Sequence, residues 1–315
     1  MCSAGRGRIV GVLAAVLLLS ALSVEGQEPI KVVSDESVVS ITVAGQPVAE
    51  YQFQPKPRKP FLGKLFSSKG VNVLRDAPAD HLHHHGLMFA VAVDGIDFWS
   101  ENEKCGHQKH AGLDGVGEAT HAGLSWGTFA QRVDWLGPDG KTPLLKERRT
   151  IHCSRVPDGG PTIVAWQARL EPPPGKASVR VTGSTNFGLG MRFVQSMDAG
   201  GRFQNADGKT GVEGTNDRRS DWCAYSAKAG GKPVTVAMFD GPKNVRHPAT
   251  WFTMDSHFAY LAATLNLAKE PLVIESAGPL VLRYAVAVWD GQVGPEKIGK
   301  LYGQLVEWAE EADGP

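Results

Sequence analysis

The sequence has no surplus charge of either sign: 33 Lys+Arg stand against 33 Asp+Glu in 315 residues. A nucleic-acid partner is therefore not expected, because phosphate binding needs a basic excess on at least one face. Cysteine is scarce. Cys2 stands near the N-terminus, and Cys105, Cys153 and Cys223 are too widely spaced for a disulfide framework or a Cys-x-x-Cys zinc pattern. They are expected to act as small buried hydrophobes. Long apolar runs are also missing, apart from one between Ile9 and Leu22. It follows Arg6 and Arg8 and gives way to small residues before Glu25-Gly26-Gln27-Glu28, the layout of a secretory signal over residues 1–26. The run is short for a spanning helix, which needs about 20 apolar residues. The expectation is an exported protein, periplasmic or secreted, with no stable membrane insertion after signal cleavage. No internal repeat or low-complexity linker divides the rest, so residues 27–315 are expected to form a single domain.

Apolar residues at 42% and charged residues at 21% describe an ordinary globular chain. Most segments alternate with period two between Gly, Pro and Asp turns. Val38–Val43 turns through Ala44-Gly45-Gln46-Pro47 into Val48–Phe53, and the apolar run Gly86–Val93 turns at Asp94-Gly95. Ser125–Leu136, Leu144–Cys153 and Thr162–Leu170 read as a meander with hairpin chemistry at both corners. Further strands are expected at Ser178–Thr182, Pro233–Phe239, Ala259–Leu265, Leu272–Ser276 and Leu280–Val288. One helix closes the chain: Pro295 suits a first turn, and Ile298, Leu301, Tyr302 and Leu305 recur at helical spacing. Many antiparallel strands in a chain of this length predict an all-β fold, a large antiparallel β-sandwich with a C-terminal helix.

Histidine is the abundant oddity, with four in the run His81-Leu82-His83-His84-His85. Asp76, Pro78 and Asp80 place that run on a loop that delivers the chain into the strand beginning at Leu87. In extended backbone His81, His83 and His85 would share one face and His84 the other. Imidazoles so placed suit acid–base catalysis, since their ordinary pKa lies near working pH. They equally suit a divalent metal, with His81, His83 and His110 as candidate ligands, and the spacing does not choose between these uses. Glu101, Glu103, His107 and His110 follow the next hairpin and could form a second wall. No H-E-x-x-H, G-x-S-x-G or G-x-G-x-x-G element is present. Arg192 could clamp a carboxylate or sugar hydroxyls. Trp99 and Trp251, with Asn244 and His247, are candidates for substrate binding through aromatic faces and planar polar groups. Lys59 and its basic neighbours read as a solvated loop, and Glu147-Arg148-Arg149 as the wet face of a strand.

Lys59–Phe89, Gly95–Trp99, Gly106–His110, Gly188–Arg192, Val236–Asn244, His247-Pro248 with Trp251, and Tyr284–Gly291 together resemble the PmoA-like family, a bacterial domain of unknown function. The family often has Pro where Leu82 stands and Arg or Lys where His85 stands. The resemblance therefore favours His81, His83 and His84 over His85 as shared functional residues. It implies an exported β protein of carbohydrate-degrading bacteria, with a fold similar to the galactose-mutarotase-like supersandwich. The expected function is a carbohydrate-active enzyme (hydrolase, lyase or epimerase) in which His81, His83, His84, His110, Glu103 and Arg192 do the chemistry. The expected partner is a carbohydrate or other uncharged small molecule. The alternatives are a non-catalytic glycan-binding protein and a His-ligated metalloenzyme of redox type.

Overall fold

The computed structural model describes residues 29–54, 58–121 and 123–312, with side chains as far as Glu307. The expected signal segment lies outside the described residues. Three antiparallel sheets make up the structure. The nine-stranded sheet runs, in spatial order, Ile30–Ser34, Val38–Val43, Gln46–Gln52, Phe61–Leu65, Leu87–Ala90, Gly188–Arg192, Tyr260–Thr264, Thr250–Met254 and Arg218–Arg219. The eight-stranded sheet runs Arg202–Asn205, Trp222–Ala229, Lys232–Asp240, Leu280–Asp290, Thr162–Glu171, Pro143–Arg155, Leu124–Leu136 and His107–His121. A small sheet of four strands, Leu272–Glu275, Ser178–Thr182, Ala92–Val93 and Ile96–Asp97, stands beside them.

The predicted meander is present, with continuous pairing from Lys146↔Glu171 to Arg155↔Thr162. Its corners have the expected chemistry. Asp139 accepts from the Lys141 and Thr142 amides at one corner, and at the other Asp158 and Gly159 take positive φ angles of 56° and 72°. The two large sheets pack face to face, with Tyr51 on Phe129 at 5.0 Å and Phe89 on Trp135 at 6.0 Å between ring centres. Cys105, Cys153 and Cys223 are free and buried. No helix of the described residues is long and apolar enough to cross a membrane.

The helix Pro295–Ala312 packs on the outer face of the eight-stranded sheet. That face is unusually flat because Ala224, Ala237, Ala285 and Ala287 line it, which leaves room for Ile298 and Leu301 to settle among Trp222, Phe239 and Trp289. The 15-residue strand His107–His121 was not expected. Its Gly and charged residues give an irregular, mostly exposed burial pattern, and two register shifts interrupt its pairing with Leu124–Leu136.

Glu147 and Arg149 are not on a wet face. Both side chains are fully buried, on the same side of their strand as Leu145, Ile151 and Cys153. Arg149 grips Glu147 in a fork at 2.7 and 2.9 Å. It also donates to the Tyr51 hydroxyl, the Pro60 carbonyl and Gln108 Oε1. The pair thus ties the two large sheets together through their core.

Candidate active site at the histidine loop

The loop between the strands Phe61–Leu65 and Leu87–Ala90 does not enter its strand in extended form. It makes two successive tight turns, with the His81 amide donating to the Pro78 carbonyl and the His84 amide to the His81 carbonyl. The second turn folds the His81 ring onto the His84 ring, 4.6 Å apart and 23° from parallel. The expected alternation of faces is thereby replaced by a cluster in which His83 also lies 4.6 Å from His84. Gly86 ends the loop at φ 23°, and a Cβ there would overlap the Leu62 carbonyl oxygen on the neighbouring strand. Gly86→Ala is therefore expected to cost at least about 2 kcal/mol from strain and overlap, read as a lower urea midpoint. An unchanged midpoint would show that the two strands can separate there.

His85 is buried with both ring nitrogens occupied. Nδ1 lies 2.5 Å from Asp76 and Nε2 3.1 Å from Glu101. Burial favours neutral imidazole, yet these two carboxylates outweigh it and raise the His85 pKa. Glu101 also accepts from Lys59 Nζ at 2.6 Å. Burial opposes its ionisation, but His85 and Lys59 prevail and hold Glu101 down at about 2. Lys59 is itself fully buried, which depresses its pKa despite Glu101. The 2.6 Å contact, with Lys59 and His85 both converging on Glu101 Oε1, holds Lys59 and Glu101 as an ionised pair. Lys59 is therefore a buttress beneath the loop, not part of a solvated one.

Above this base the chemistry is open. His81 Nδ1 pairs with Asp80 at 3.0 Å, and Asp80 is held below the ordinary carboxylate range chiefly by that contact. Asp80 also receives Arg192 Nη2 at 3.1 Å. Arg192 lies on the Phe258 ring, 3.5 Å from its centre, and its Nε and Nη1 are buried without partners among the described residues. His84 sits among His81, Phe258, Tyr260 and Trp99 with Nδ1 buried and unpaired. Burial, then the neighbouring His83 and His81, drive its pKa down to about 3. The Tyr260 hydroxyl is buried and unpaired too, and burial pushes its pKa well up, so it stays a protonated donor. Burial likewise lowers His83, with Lys59 adding to the effect. Imidazole, guanidinium and phenol thus present unpaired polar atoms within one cluster.

The remaining candidates fall elsewhere. His110 lies on the strand His107–His121, 4.4 Å from Phe53 and hydrogen-bonded to Gln131. Glu103 is exposed, and His107 contacts Arg58 at 2.8 Å. Trp99 does join the cluster, stacked on Phe187 at 5.2 Å and in an edge contact with His84 at 6.3 Å. Trp251 is buried, with its indole N–H donated to the Ser220 carbonyl. Asn244 and His247 fasten Asp240 at 2.7 and 2.8 Å in a separate loop. The candidate ligands His81, His83 and His110 are not brought together: His81 and His83 lie beside His84, whereas His110 lies on another strand against Phe53 and Gln131. Among the described residues, no group of three or more His, Cys, Asp or Glu side chains is arranged to hold a metal. Glu101, Lys59, Tyr260 and Asp198 do not stand out in the sequence as site residues of the first rank. Only Glu101 carries a signal, its position after the Gly95 hairpin.

Fold and loop together define an antiparallel β-sandwich protein with a polar, histidine-lined surface site. The chain belongs to DUF6807, a family of unknown function whose model matches residues 38–303. That match corrects the PmoA-like resemblance: the matching family is DUF6807, and the motif blocks behind the resemblance fall within it. No curated protein matches the chain in sequence. Among solved structures, it is similar to a GH36 α-galactosidase of Geobacillus stearothermophilus, with 9% identity and a TM-score of 0.44 over 84% of this chain. The chain spans 41% of that galactosidase. It is also similar to a putative mutarotase of Salmonella typhimurium, with 10% identity, TM-score 0.36, and coverage of 84% of this chain and 97% of that one. A third is a GalM/aldose epimerase homologue of C. elegans, with 6% identity, TM-score 0.32, and coverage of 84% and 100%.

Proposed function

We propose that the protein is an exported acid–base enzyme acting on a neutral carbohydrate at the histidine loop, as a hydrolase, lyase or epimerase. One observation carries this reading: His84 Nδ1, Tyr260 Oη and two Arg192 nitrogens are all buried in one cluster without partners among the described residues. Leaving such groups unpaired costs about 1–3 kcal/mol each, so a site that keeps several is prepared to bond something else. The charges around it offset one another. Lys59, His85, Arg75 and Arg192 face Glu101, Asp76, Asp198 and Asp80, with Arg75 3.7 Å from Asp198. A substrate with no net charge suits that balance, and hydroxyl groups suit the mixed donors and acceptors. Trp99 and Phe258 supply apolar walls of the kind that pack against a sugar ring.

Roles follow from the environments. His81, oriented by Asp80 and partly exposed, exchanges the proton. His84 at about 3 is too weak a base for that task, and as neutral imidazole it holds a substrate hydroxyl. Arg192 and protonated Tyr260 stabilise developing negative charge on oxygen. His85 positions the loop.

A panel of neutral glycosides and free aldoses, followed by proton NMR, reads hydrolysis, elimination and epimerisation in one spectrum. His81→Ala is expected to reduce turnover about 10²–10⁴-fold with little change in melting temperature. His85→Ala is expected to lower the melting temperature as well. Substrate binding without any product from the unaltered protein would make it a glycan-binding protein instead, and full turnover by His81→Ala would remove the assigned role.

A further inference from the structure

Between the outer face of the eight-stranded sheet and the C-terminal helix lies a cavity of about 500 Å³. Its floor is set by the register. His152, Ala165, Ala285 and Phe239 are paired neighbours across four strands, so three strand spacings, about 14 Å, separate the first from the last. The two alanines between these larger side chains leave an apolar basin. The helix closes one flank with Tyr302, stacked on Phe239 at 6.2 Å and 6° from parallel.

We infer that this cavity is a second ligand site, distinct from the histidine loop, for the pyranose ring of a neutral sugar. Its volume lies within the range of small-molecule sites, which are mostly apolar with a few polar groups that orient the ligand. Alanine methyl groups and aromatic flanks suit the C–H faces of a sugar ring. Two polar side chains stand at one corner of the basin. Gln167 is two residues along its strand from Ala165, which sets it diagonal to His152, about 7–8 Å away. Neither side chain makes a hydrogen bond among the described residues.

The chemistry of this pair sets the ligand class. Burial, reinforced by His121, keeps His152 below the ordinary histidine range. Its neutral imidazole offers one N–H donor and one acceptor nitrogen, and the Gln167 amide also offers both. A hydroxyl group both donates and accepts, so neighbouring hydroxyls on one ring can satisfy the two side chains together. A carboxylate could only accept and an ammonium group only donate, which would leave half of that capacity unused. Charged side chains of both signs, Asp240, Lys243 and Arg283, also line the cavity, and the selection depends on none of them. Asn244 and His247, expected to contact substrate directly, reach this site through Asp240, which they hold at 2.7 and 2.8 Å.

Isothermal titration of the full chain with the methyl glycosides of D-glucose, D-galactose and D-mannose tests the assignment, with D-galacturonate and adenosine as comparison ligands. At least one methyl glycoside is expected to bind at least tenfold more tightly than either comparison ligand. His152→Leu and Gln167→Leu should each weaken that binding about tenfold, while His84→Gln leaves it unchanged. Gln167 is only partly buried, so its variant decides the matter if His152→Leu does not fold. A glycoside that also enters the histidine loop gives two sites per chain, of which Gln167→Leu weakens one and His84→Gln the other. No glycoside binding, a preference of less than tenfold over either comparison ligand, or affinity that survives both leucine variants would overturn the assignment. Absence of turnover at the histidine loop leaves the binding result standing, so the two readings fail separately.

Discussion

Arg149→Met is expected to destabilise the protein by about 3–5 kcal/mol, more than the strain and overlap expected of Gly86→Ala. The cause is less the loss of a favourable pair than what remains after it. Glu147 would stay fully buried with only the Trp135 indole N–H, at 2.8 Å, as a partner. Its carboxylate would then ionise at a large desolvation cost or fold only as the neutral acid. Tyr51 would lose one of its two partners, although Gln131 still accepts from its hydroxyl at 2.5 Å. The Pro60 carbonyl and Gln108 Oε1 would also lose their donor. Removing both charges should be much milder. Glu147→Leu with Arg149→Met takes out the two ions together, and buried pairs replaced by apolar residues of similar volume are often neutral in stability. Urea denaturation of the single and double variants separates the two cases. The single variant should also recover relative to the parent as pH falls, because protonation then neutralises the stranded Glu147. A single variant within about 1 kcal/mol of the parent would mean that water reaches the pair and that the core is not closed at this layer.

The contrast between that pair and the histidine loop shows what a linear sequence can and cannot disclose. The meander was legible because a period of two and Asp/Gly turns are local properties. Asp94-Gly95 takes φ angles of 49° and 84°, as a tight hairpin requires. Glu147 and Arg149 have the same period and could have been placed inside on that ground alone, since Leu145, Ile151 and Cys153 continue it. Composition argued the other way because charged side chains are rarely buried unless paired, and the partners Tyr51 and Gln108 are distant in sequence. The loop failed differently. Reading His81–His85 as extended chain assigned faces by alternation, whereas the His84-to-His81 amide contact makes a turn that brings positions three apart together. Glu101 had a place in the expected second wall, but Lys59 was out of reach because its meeting with Glu101 depends on sheet order. The cavity between the eight-stranded sheet and the C-terminal helix depends on four strands in register and a helix laid over them, none of it visible as a motif.

His84 sets an expected acid limit on stability, and the sign can be worked out from its surroundings. The unfolded histidine titrates near 6.5, whereas in the fold burial and the neighbouring His83 and His81 lower it to about 3. Between those values the unfolded chain binds a proton that the folded chain refuses, so stability falls as pH drops through this window. The full difference is on the order of a few kcal/mol at pH 3 and is absent above about pH 7. His85 acts in the opposite sense. Its raised pKa adds stability below 6.5 and loses it as pH climbs through the folded value, so it partly masks His84 in the unaltered protein. Glu101, held at about 2, withdraws its contribution as pH falls from the ordinary carboxylate range to about 2, which separates it from His85 and overlaps His84 only at the acid end. The comparison that isolates His84 is therefore with His84→Gln, polar but uncharged at every pH. At pH 7 the variant should be the less stable, because it gives up the ring contacts with His81, Phe258 and Tyr260. The gap should close as pH is lowered from about 6.5 and reverse near about pH 4.5, while a His85→Gln variant shows the reverse slope. Parallel pH–stability curves for the parent and His84→Gln would mean that the fold leaves the His84 pKa where the unfolded chain has it. His84 would then be a competent base near neutral pH, and its exclusion from proton transfer at the site would fall with the acid prediction.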